Sequence, residues 1–472
     1  MATSPGLEIQ REAQSEALFQ IVQQFQNLLG DDRVTAWDVA QPSLIAQADQ
    51  AIAPSHHPAC ILYPHTPEEL AEAVAYAHAH QWTVMPLGHG SKLHWGGLAK
   101  PINILVSTAR LNRLIDHAVG DLTVTAEAGM GFADIQQHLQ GEQQQLGLDP
   151  SFGDRATLGG IVATADTGSL RQRYGGVRDM LIGLSFVRAD GQIAKAGGQV
   201  VKNVAGYDLM KLMTGAYGTL GIITQVTFRL YPIPPASQTI LITGEAEAIA
   251  TLADQIAVST LTPTQFDLLS PALVQRLEIG KSMGLLLRFQ SIAVSVEQQV
   301  SQVQAIAHSN DHSTDHSAET RSPSDATKLQ TTLLDPDEEQ NLWRRLRETM
   351  DSGPYSVPIT CKIGVEPRHA AIALTHLEAA LPAEAIGQLH RSSGSGTLRL
   401  EGEAIVPQAI LKLRQICESY GGYLTLLEAP PSWKRQIDVW GYPGNALPLM
   451  QRIKQEFDPE HRLNPARFVG GI

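Results

Sequence analysis

The stretch DPSFGDRATLGGIVATADTGSLRQRYGGVRD, residues 149–179, surrounds a small apolar core, ATLGGIVAT, with glycine, threonine and charged residues. A flat aromatic ligand that lies against the main chain requires such a surface, with small residues beneath it and a few N–H donors at its edge. A helix that begins in tight packing would produce the same composition. The stretch alone therefore leaves two interpretations open, a ligand platform and a packed helix start.

Two more glycine-rich segments flank this stretch. PLGHGSK, Pro86–Lys92, leaves a strand with glycine at alternate positions. Successive N–H groups in such a loop can form an anion-binding nest, although a plain turn is the alternative. KNVAGYDLMKLMTGAYGTLGIIT, residues 202–224, joins a helix that Asp208 would cap to a strand, and helix-on-sheet packing would explain its glycines equally well. Neither a P-loop nor a Rossmann fingerprint occurs in the sequence.

Strand and helix signals around these segments predict a mixed α+β domain over residues 55–235. A short apolar strand within CILYP is followed by Thr66, which can cap a helix whose first residue is Pro67. The closely spaced prolines of YPIPP, residues 231–235, end the last strand and mark the domain boundary. Residues 1–54 are interpreted as a polar, helical lead-in.

Residues 236–440 alternate strand-like and helical segments, which predicts a second, smaller, antiparallel α+β domain. Residues 308–327 interrupt it with a run rich in Ser, Asp, His and Thr, and this composition predicts a disordered insertion. His308, His312 and His316 lie four residues apart and could in principle bind a metal. A flexible polar loop is the favoured interpretation, because no apolar stripe would hold a helix there.

Composition excludes several classes of protein. The chain has 472 residues and 51.1 kDa, with 35 Lys and Arg against 48 Asp and Glu, a formal net charge of −13. Sequence-independent nucleic-acid binding requires a basic surface, so no nucleic-acid partner is expected. No apolar run approaches the length of a membrane helix.

The three cysteines lack CxxC spacing, which argues against an iron–sulfur cluster and a disulfide framework. Without a signal-peptide pattern, we expect a cytoplasmic protein.

In their combination and order, the three glycine-rich segments resemble the FAD-binding domain of the vanillyl-alcohol oxidase/p-cresol methylhydroxylase (PCMH-type) flavoprotein superfamily. The resemblance covers residues 55–235, and FDPEHRLNPARF, Phe457–Phe468, is similar to the superfamily's tail, which returns to the flavin domain. It implies a two-subdomain PCMH-type FAD-binding domain, a cap domain over 236–440, and a return segment over 441–472. The implied cofactor is FAD.

The resemblance also implies where FAD is bound. The first loop would hold the pyrophosphate, the second segment would lie along the flavin, and the third would close over the cofactor, with Ile223 as a backbone contact. The implied cofactor-binding residues are Pro86, Leu87, Gly88, His89, Gly90, Ser91, Pro150, Thr157, Leu158, Gly159, Gly160, Ala163, Thr164, Gly168, Gly221 and Ile223.

Within this superfamily, VVKNVAGYDLMKLMTGAYGTLGIIT and the metal-free C-terminal half resemble the FAD-binding E subunits of bacterial glycolate oxidase (glycolate dehydrogenase). That resemblance implies a nucleotide-binding flavoprotein subunit acting on a small hydroxy acid. It would work beside a larger FAD-containing subunit and an iron–sulfur subunit. Such a complex would give electrons leaving the flavin an acceptor on another chain. No membrane span is implied, although peripheral association is compatible with it.

Two departures from the superfamily pattern affect the chemistry. Relatives with covalently attached FAD carry histidine immediately before the Ser or Thr of the first loop, and here that position is Gly90, with His89 one place too early. Non-covalent FAD is therefore predicted. The HxGDGNxH-type segment of the catalytic hydroxy-acid subunits is absent from the sequence, which removes its metal ligands and its base.

A glycolate-like substrate would require a cation for its carboxylate and a base for its hydroxyl. The chemically suitable residues near these segments are Arg171, Arg173, Tyr207, His390 and Arg399. No spacing rule separates them from structural residues, so neither a catalytic residue nor a metal ligand is assigned. Three functions stay open: a complex subunit, a stand-alone FAD-dependent alcohol or hydroxy-acid dehydrogenase, and a largely scaffolding subunit of flavin fold.

Overall fold

The computed structural model describes residues 5–53, 57–198, 207–313, 329–351, 359–381, 384–402 and 405–472. Over these ranges, three main β-sheets with helices packed on them make up a mixed α+β protein, as the sequence predicts. We refer to residues 5–235 together with 441–472 as the cleft domain, and to residues 236–440 as the cap domain.

The strands are β1 (Val34–Ala36), β2 (Cys60–Leu62), β3 (Val84–Leu87), β4 (Ile104–Ser107), β5 (Leu114–Ala118), β6 (Thr123–Glu127), β7 (Gln144–Gln145), β8 (Leu181–Val187), β9 (Ile193–Gly197), β10 (Ile222–Arg229), β11 (Tyr231–Pro232), β12 (Ala236–Gly244), β13 (Gln265–Leu269), β14 (Met283–Ser291), β15 (Gln330–Leu333), β16 (Ile359–Gly364), β17 (Glu384–His390), β18 (Ser395–Glu401) and β19 (Tyr423–Glu428).

The α-helices are α1 (Pro5–Leu29), α2 (Pro42–Asp49), α3 (Pro67–Ala79), α4 (Phe132–Gln140), α5 (Leu158–Thr164), α6 (Arg171–Tyr174), α7 (Val177–Met180), α8 (Leu209–Met213), α9 (Ala246–Ala257), α10 (Pro271–Arg276), α11 (Ala293–Ser313), α12 (Pro336–Asp351), α13 (Ala370–Ala379), α14 (Pro407–Ser419), α15 (Pro431–Lys434) and α16 (Leu447–Phe457).

The first sheet of the cleft domain has the order β1-β2-β4-β3, with β4 parallel to both β2 and β3. Helix α3 connects β2 to β3, as parallel strands require. Its start is the one that the sequence predicts, because the Thr66 hydroxyl accepts a hydrogen bond from the Glu69 N–H (3.1 Å) and Pro67 is the first residue. β3 therefore ends at Leu87, directly before the first glycine-rich loop.

The N-terminal segment belongs to this first sheet, whereas the sequence analysis placed a domain boundary after residue 54. β1 pairs antiparallel with β2 at the sheet edge. On α1, the fully buried Phe25 contacts the rings of Tyr76 and Trp82 at centroid distances of 5.6 Å. The apolar residues of the predicted lead-in are thus core residues of the cleft domain.

The second sheet of the cleft domain is antiparallel, with the order β5-β6-β10-β8-β9. Helix α5 packs on β10, and Leu158, Ile161 and Val162 supply its buried face. This core places the start of α5 beside the end of β3, so that the glycine-rich segments of the two sheets meet.

The cap domain is one eight-stranded antiparallel sheet, with the order β15-β12-β14-β13-β17-β18-β16-β19. Helices α9, α11, α13 and α14 share one buried apolar cluster with this sheet, and α10 and α12 share another. The middle strands β13, β17, β18 and β16 are adjacent, which lines up their side chains for the cavity described below.

A disordered insertion is predicted at residues 308–327, but its first part, residues 308–313, is helical. α11 continues through Ser313, and the Gln255 and Asn310 side chains exchange hydrogen bonds of 3.0 and 2.8 Å that join α9 to α11. His308 and His312 therefore lie in the last turns of a helix. Residues 314–328, including His316, lie outside the described residues.

The tail segment returns to the first sheet and fixes its position against β3. The Val84 N–H donates to the Arg462 carbonyl and the Asn464 N–H donates to the Val84 carbonyl, each at 2.8 Å. The buried Lys454 ammonium contacts the Thr219 and Leu463 carbonyls at 2.8 and 2.9 Å. In the part of the chain that the structure describes, no helix is long and apolar enough to cross a membrane.

Candidate active site

The first glycine-rich loop and the start of α5 touch at a point where no side chain fits. A Cβ added to Gly88 would lie 2.1 Å from the Thr157 hydroxyl oxygen. Thr157 in turn caps α5 by accepting a hydrogen bond from the Gly160 N–H at 3.2 Å. Glycine at position 88 is thus required for the close approach of the two segments.

Gly90, two residues further along, has a backbone angle that favours glycine. Its φ is +82°, in the left-handed region. The Leu93 N–H donates to the Gly90 carbonyl at 2.9 Å, and the Ser107 hydroxyl donates to the Gly88 carbonyl at 3.0 Å. These bonds hold the main chain of residues 88–93 in a tight curve along the edge of an open cleft.

Residues 217–223 form the facing wall. The Tyr217 N–H donates to the Ala163 carbonyl at 2.9 Å, and the Tyr217 carbonyl accepts a bond from the Asn464 amide at 2.5 Å. Ala165, Tyr217 and Asn464 all have positive φ, between 47° and 53°. Non-glycine residues in this region are strained, and such strain concentrates at functional sites.

Arg467, from the tail, supplies a fully buried positive charge to the cleft wall. Its guanidinium donates to the carbonyls of Gly97 (2.6 Å), Leu93 (2.5 Å), Ala51 (3.2 Å) and Trp95. Burial lowers the pKa of Arg467 to about 10. Among the described residues, no carboxylate is paired with it, and its Nε atom has no hydrogen-bond partner.

The cleft between these segments, including its solvent-open mouth, measures about 750 Å³. An anionic, partly aromatic ligand fits its chemistry. Bare main chain and small side chains form the walls, while the uncompensated Arg467 charge and the unpartnered Asn464 amide oxygen offer polar contacts. A dinucleotide cofactor with a pyrophosphate and a flat ring has these properties.

Thirteen of the sixteen cofactor-binding residues implied by the resemblance line this cleft: Pro86, Leu87, Gly88, His89, Gly90, Ser91, Thr157, Gly159, Gly160, Ala163, Thr164, Gly221 and Ile223. Three do not. The Leu158 side chain is fully buried in the domain core, since it faces the sheet below α5. Pro150 and Gly168 line a second cavity instead.

The structure adds cleft residues that the glycine pattern does not reveal: Lys92, Leu93, Thr108, Tyr217, Gly218, Ile222, Asn464 and Arg467. Lys92 and Gly218 lie inside the glycine-rich segments quoted in the sequence analysis, so the sequence could have assigned them to the site. Asn464 and Arg467 lie in the tail, which the resemblance already directs to this domain. Thr108 has no sequence signal, because only the pairing of β3 with β4 brings it near Leu87.

A second cavity lies between the cleft domain and the cap sheet and measures about 910 Å³, including its solvent-open part. Thr164 and Tyr217 line both spaces, so the cavity and the cleft share a wall. Three cationic side chains line the cavity, namely Arg171, Arg347 and Lys362.

Acidic side chains share the second cavity with these cations. Burial raises the pKa of Asp149 to about 7 and that of Asp351 to about 6. Asp166 is ion-paired with Lys92 at 2.5 Å, and this pair connects the cavity lining to the cleft lining. The charge of the cavity therefore changes near neutral pH.

Of the five catalytic candidates suggested by the sequence, two line the second cavity and three do not. Arg171 and His390 line the second cavity. The Arg399 side chain is buried, and its guanidinium donates to the Met350 carbonyl at 2.9 Å, which is a structural role. Tyr207 is 89% exposed and Arg173 is exposed, both away from the two cavity linings.

A comparison with protein families matches residues 58–197 to the FAD binding domain family. This segment contains the first loop and α5. Residues 58–197 are an FAD-binding domain. The fold of the whole chain agrees, because p-cresol methylhydroxylase superposes on it with a TM-score of 0.73 at 15% identity, covering 96% of each chain.

Two similar proteins are subunits of glycolate oxidase. Glycolate oxidase subunit GlcD of Bacillus subtilis is 23% identical over 428 residues, which cover 87% of this chain and 89% of GlcD. Glycolate oxidase subunit GlcE of Escherichia coli is 34% identical over 172 residues, which cover 36% of this chain and 48% of GlcE. The protein is an FAD-dependent oxidoreductase of PCMH-type fold. The longer GlcD alignment leaves the resemblance to E subunits as a hypothesis.

We predict that acid precipitation of the yellow protein will release all of its flavin into the supernatant. Covalent attachment requires a nucleophilic side chain at the flavin. The His89 ring instead lies 3.3 Å from the Arg155 carbonyl, and burial raises the pKa of the Tyr217 phenol. The three cysteines are buried outside the cleft lining. The absorbance of supernatant and pellet measures the outcome, and flavin retained by the washed pellet would contradict the prediction.

Proposed function

We propose that the protein oxidises a small 2-hydroxy acid as the FAD-binding subunit of a glycolate-oxidase-type complex, passing electrons through non-covalent FAD to a partner subunit. The observation that carries this proposal is the second cavity, which shares a wall with the cofactor cleft and presents three cationic side chains. A hydroxy acid offers a carboxylate for such cations. The named relatives of the chain support this substrate class.

The residues of the cleft would hold FAD through main-chain donors and the Arg467 charge. Residues 88–91 would bind the pyrophosphate, and α5 would lie along the ring. Bound FAD supplies a two-electron acceptor for the substrate. The second cavity would orient the hydroxy acid, and its partly buried walls would limit water.

The cysteine content supports an electron acceptor outside this chain. Three cysteines, each buried and distant in sequence, cannot supply the four thiolates of a typical iron–sulfur cluster. Electrons leaving the flavin would therefore pass to a cluster or flavin on another chain, or to a diffusible acceptor. We propose the larger FAD-containing subunit and the iron–sulfur subunit as these partners, in the cytoplasm.

Anaerobic mixing of the purified protein with glycolate or D-lactate tests the proposal. Loss of the visible flavin band in the isolated chain, with dye turnover, would favour a stand-alone dehydrogenase. Loss of the band only after co-purification with the other two subunits would favour the complex. A yellow protein that neither substrate reduces in either form, or a colourless one, would overturn the proposal and favour a scaffolding subunit.

A pH dependence of substrate binding should follow from Asp149. Its carboxyl is neutral below its pKa of about 7 and negative above it. The negative charge would repel a substrate carboxylate in the same cavity. We therefore expect binding of the unreactive analogue oxalate to weaken by about tenfold between pH 6 and pH 8, measured by perturbation of the flavin spectrum.

Asp149→Asn should flatten this dependence, because the amide stays neutral throughout. Asp154→Asn is the matched control, since the Asp154 side chain is 79% exposed and lies outside the cavity lining. It should keep the wild-type pH dependence. An unchanged dependence in Asp149→Asn would show that another group controls the charge of the cavity.

A further inference from the structure

We propose that His390, oriented by Asp267, is the base that accepts the hydroxyl proton of the substrate. This inference rests on the proposed hydroxy-acid oxidation and assigns a catalytic residue to it. Asp267 is the positioning residue. The two side chains come from neighbouring strands of the cap sheet, β13 and β17, on which they are directly paired in register.

The geometry of the pair is that of a base held by a carboxylate. His390 Nδ1 lies 2.7 Å from Asp267 Oδ1, and Asp267 is fully buried. The second oxygen, Oδ2, accepts hydrogen bonds from the Ser169 hydroxyl at 2.5 Å and from the Gln388 amide at 2.9 Å. Because a carboxylate only accepts hydrogen bonds, the imidazole donates to it from Nδ1. Nδ1 therefore carries the proton.

This arrangement leaves Nε2 as the free basic atom. Within the described part of the chain, no protein atom forms a hydrogen bond with Nε2. The His390 side chain is 11% exposed, and it lines the second cavity. An imidazole that lines a ligand cavity, with one nitrogen held by a carboxylate and the other without a protein partner, is a common arrangement for general-base catalysis.

A cation that can anchor a carboxylate lies within reach of this base. Lys362 pairs with Thr397, and Thr397 pairs with Gln388, so these three residues form one row across β16, β18 and β17. His390 is two residues from Gln388 on the same face of β17. Two strand spacings separate Lys362 from Gln388, about 10 Å, which a lysine side chain and a small hydroxy acid together can span.

Arg171 approaches the same space from the cleft domain. Its guanidinium donates to the Ser395 hydroxyl at 3.1 Å, at the start of β18. The substrate carboxylate would thus lie between cations of both domains, with its hydroxyl toward His390.

The proposed step balances as a two-electron oxidation. The hydroxyl O–H bond breaks and its proton moves to His390 Nε2, while the C–H bond breaks and its hydrogen leaves the carbon with both electrons. FAD held by the cleft residues would supply the two-electron oxidant that accepts them. A carbon–oxygen double bond forms, and the product is a 2-oxo acid. A later transfer to water returns the proton from the imidazolium.

Other charged groups share the cavity with the pair and will shape its pH response. From the cleft domain these are Asp149, Asp166 and Arg171, and from the cap domain Arg347, Asp351 and Lys362. Asp149 is near enough to interact electrostatically with both His390 and Asp267. The pH profile of His390 variants must therefore be compared with that of Asp149→Asn.

The experiment measures the rate of anaerobic flavin reduction by glycolate or D-lactate, in the isolated chain or in the complex, whichever is active. His390→Gln should reduce that rate by about 10² to 10⁴-fold, while the Kd of oxalate changes by less than about threefold. Added imidazole should restore part of the rate to His390→Ala, because it can occupy the space left by the ring. The oxalate Kd verifies that each variant keeps its cavity.

Asp267→Asn distinguishes positioning from mere packing. Asparagine removes the negative charge beside the imidazole, so the acid limb of the rate profile should move to lower pH as the maximal rate falls. His376→Gln is the matched control, since the exposed His376 contacts Tyr420 on the cap surface and should keep the wild-type rate.

The outcomes separate this inference from the proposed function. If hydroxy acids reduce the wild-type flavin and His390→Gln reacts within threefold of it, the assignment of His390 is wrong and the proposed function stands. If no hydroxy acid reduces the wild-type flavin, both are overturned. The assignment of His390 as the base would also be rejected if His390→Gln reacts slowly but two other results are obtained. These are that added imidazole does not restore the rate of His390→Ala, and that Asp267→Asn keeps the wild-type pH profile.

Discussion

Replacing Gly90 by valine should yield a folded protein that retains less than about a tenth of its flavin. A β-branched residue is strained at the φ of +82° that Gly90 adopts, and an added Cβ would lie 2.6 Å from the Gln47 amide oxygen on α2. Relief of this strain, about 2–3 kcal/mol, requires the loop to move. The cofactor would then bind about 30 to 100 times more weakly.

The direction of that Cβ gives the reason for the effect. It points toward α2 rather than into the cleft, so the variant acts by displacing the main chain of the loop and not by filling the pyrophosphate site. Gly471→Val is the matched control. Its φ is +78°, and nothing lies within 4 Å of an added Cβ. Flavin absorbance per protein should be normal in this control, and a normal value in Gly90→Val would show that the loop does not bind FAD.

Replacing Lys454 by methionine should lower the free energy of unfolding by about 3–5 kcal/mol. Lys454 is fully buried, and its ammonium lies 2.6 Å from Asp458 Oδ2. Its loss would leave the equally buried Asp458 charge without its cation and two main-chain carbonyls without a donor. Urea unfolding followed by circular dichroism measures the change.

Two further variants make this test specific. Lys412→Met removes an exposed lysine and should change the free energy of unfolding by less than about 0.5 kcal/mol. Combining Lys454→Met with Asp458→Asn should recover part of the loss, because the unpaired charge is then removed as well. A Lys454→Met protein within about 1 kcal/mol of wild type would contradict a structural role for the pair.

Local sequence signals predicted the parts of the fold that local chemistry controls. Thr66 and Pro67 begin α3 because capping and proline geometry act within one turn. Thr157 caps the start of α5, and its segment is a packed helix start that lines the cleft. The interpretation of this segment as a ligand platform stays a prediction.

Local sequence signals did not predict the contacts between segments that lie far apart in the chain. Pro150 and Gly168 were expected at the cofactor, yet the segments before and after α5 place them at the second cavity. Arg467 binds main-chain carbonyls, which leave no pattern in the sequence. His390 was a candidate by residue type alone, and its partner Asp267 lies 123 residues away on a strand that only the order of the cap sheet places beside it.

The tail that pairs with β3 has a consequence for biosynthesis. A ribosome makes β3 and the first glycine-rich loop several hundred residues before the segment around Asn464 and Arg467 that completes them. Until that segment leaves the ribosome, the growing chain lacks the part of the cleft wall that Asn464 and Arg467 supply. The cleft is therefore complete only after residues 464–467 have been synthesised, and we expect cofactor loading to follow their synthesis.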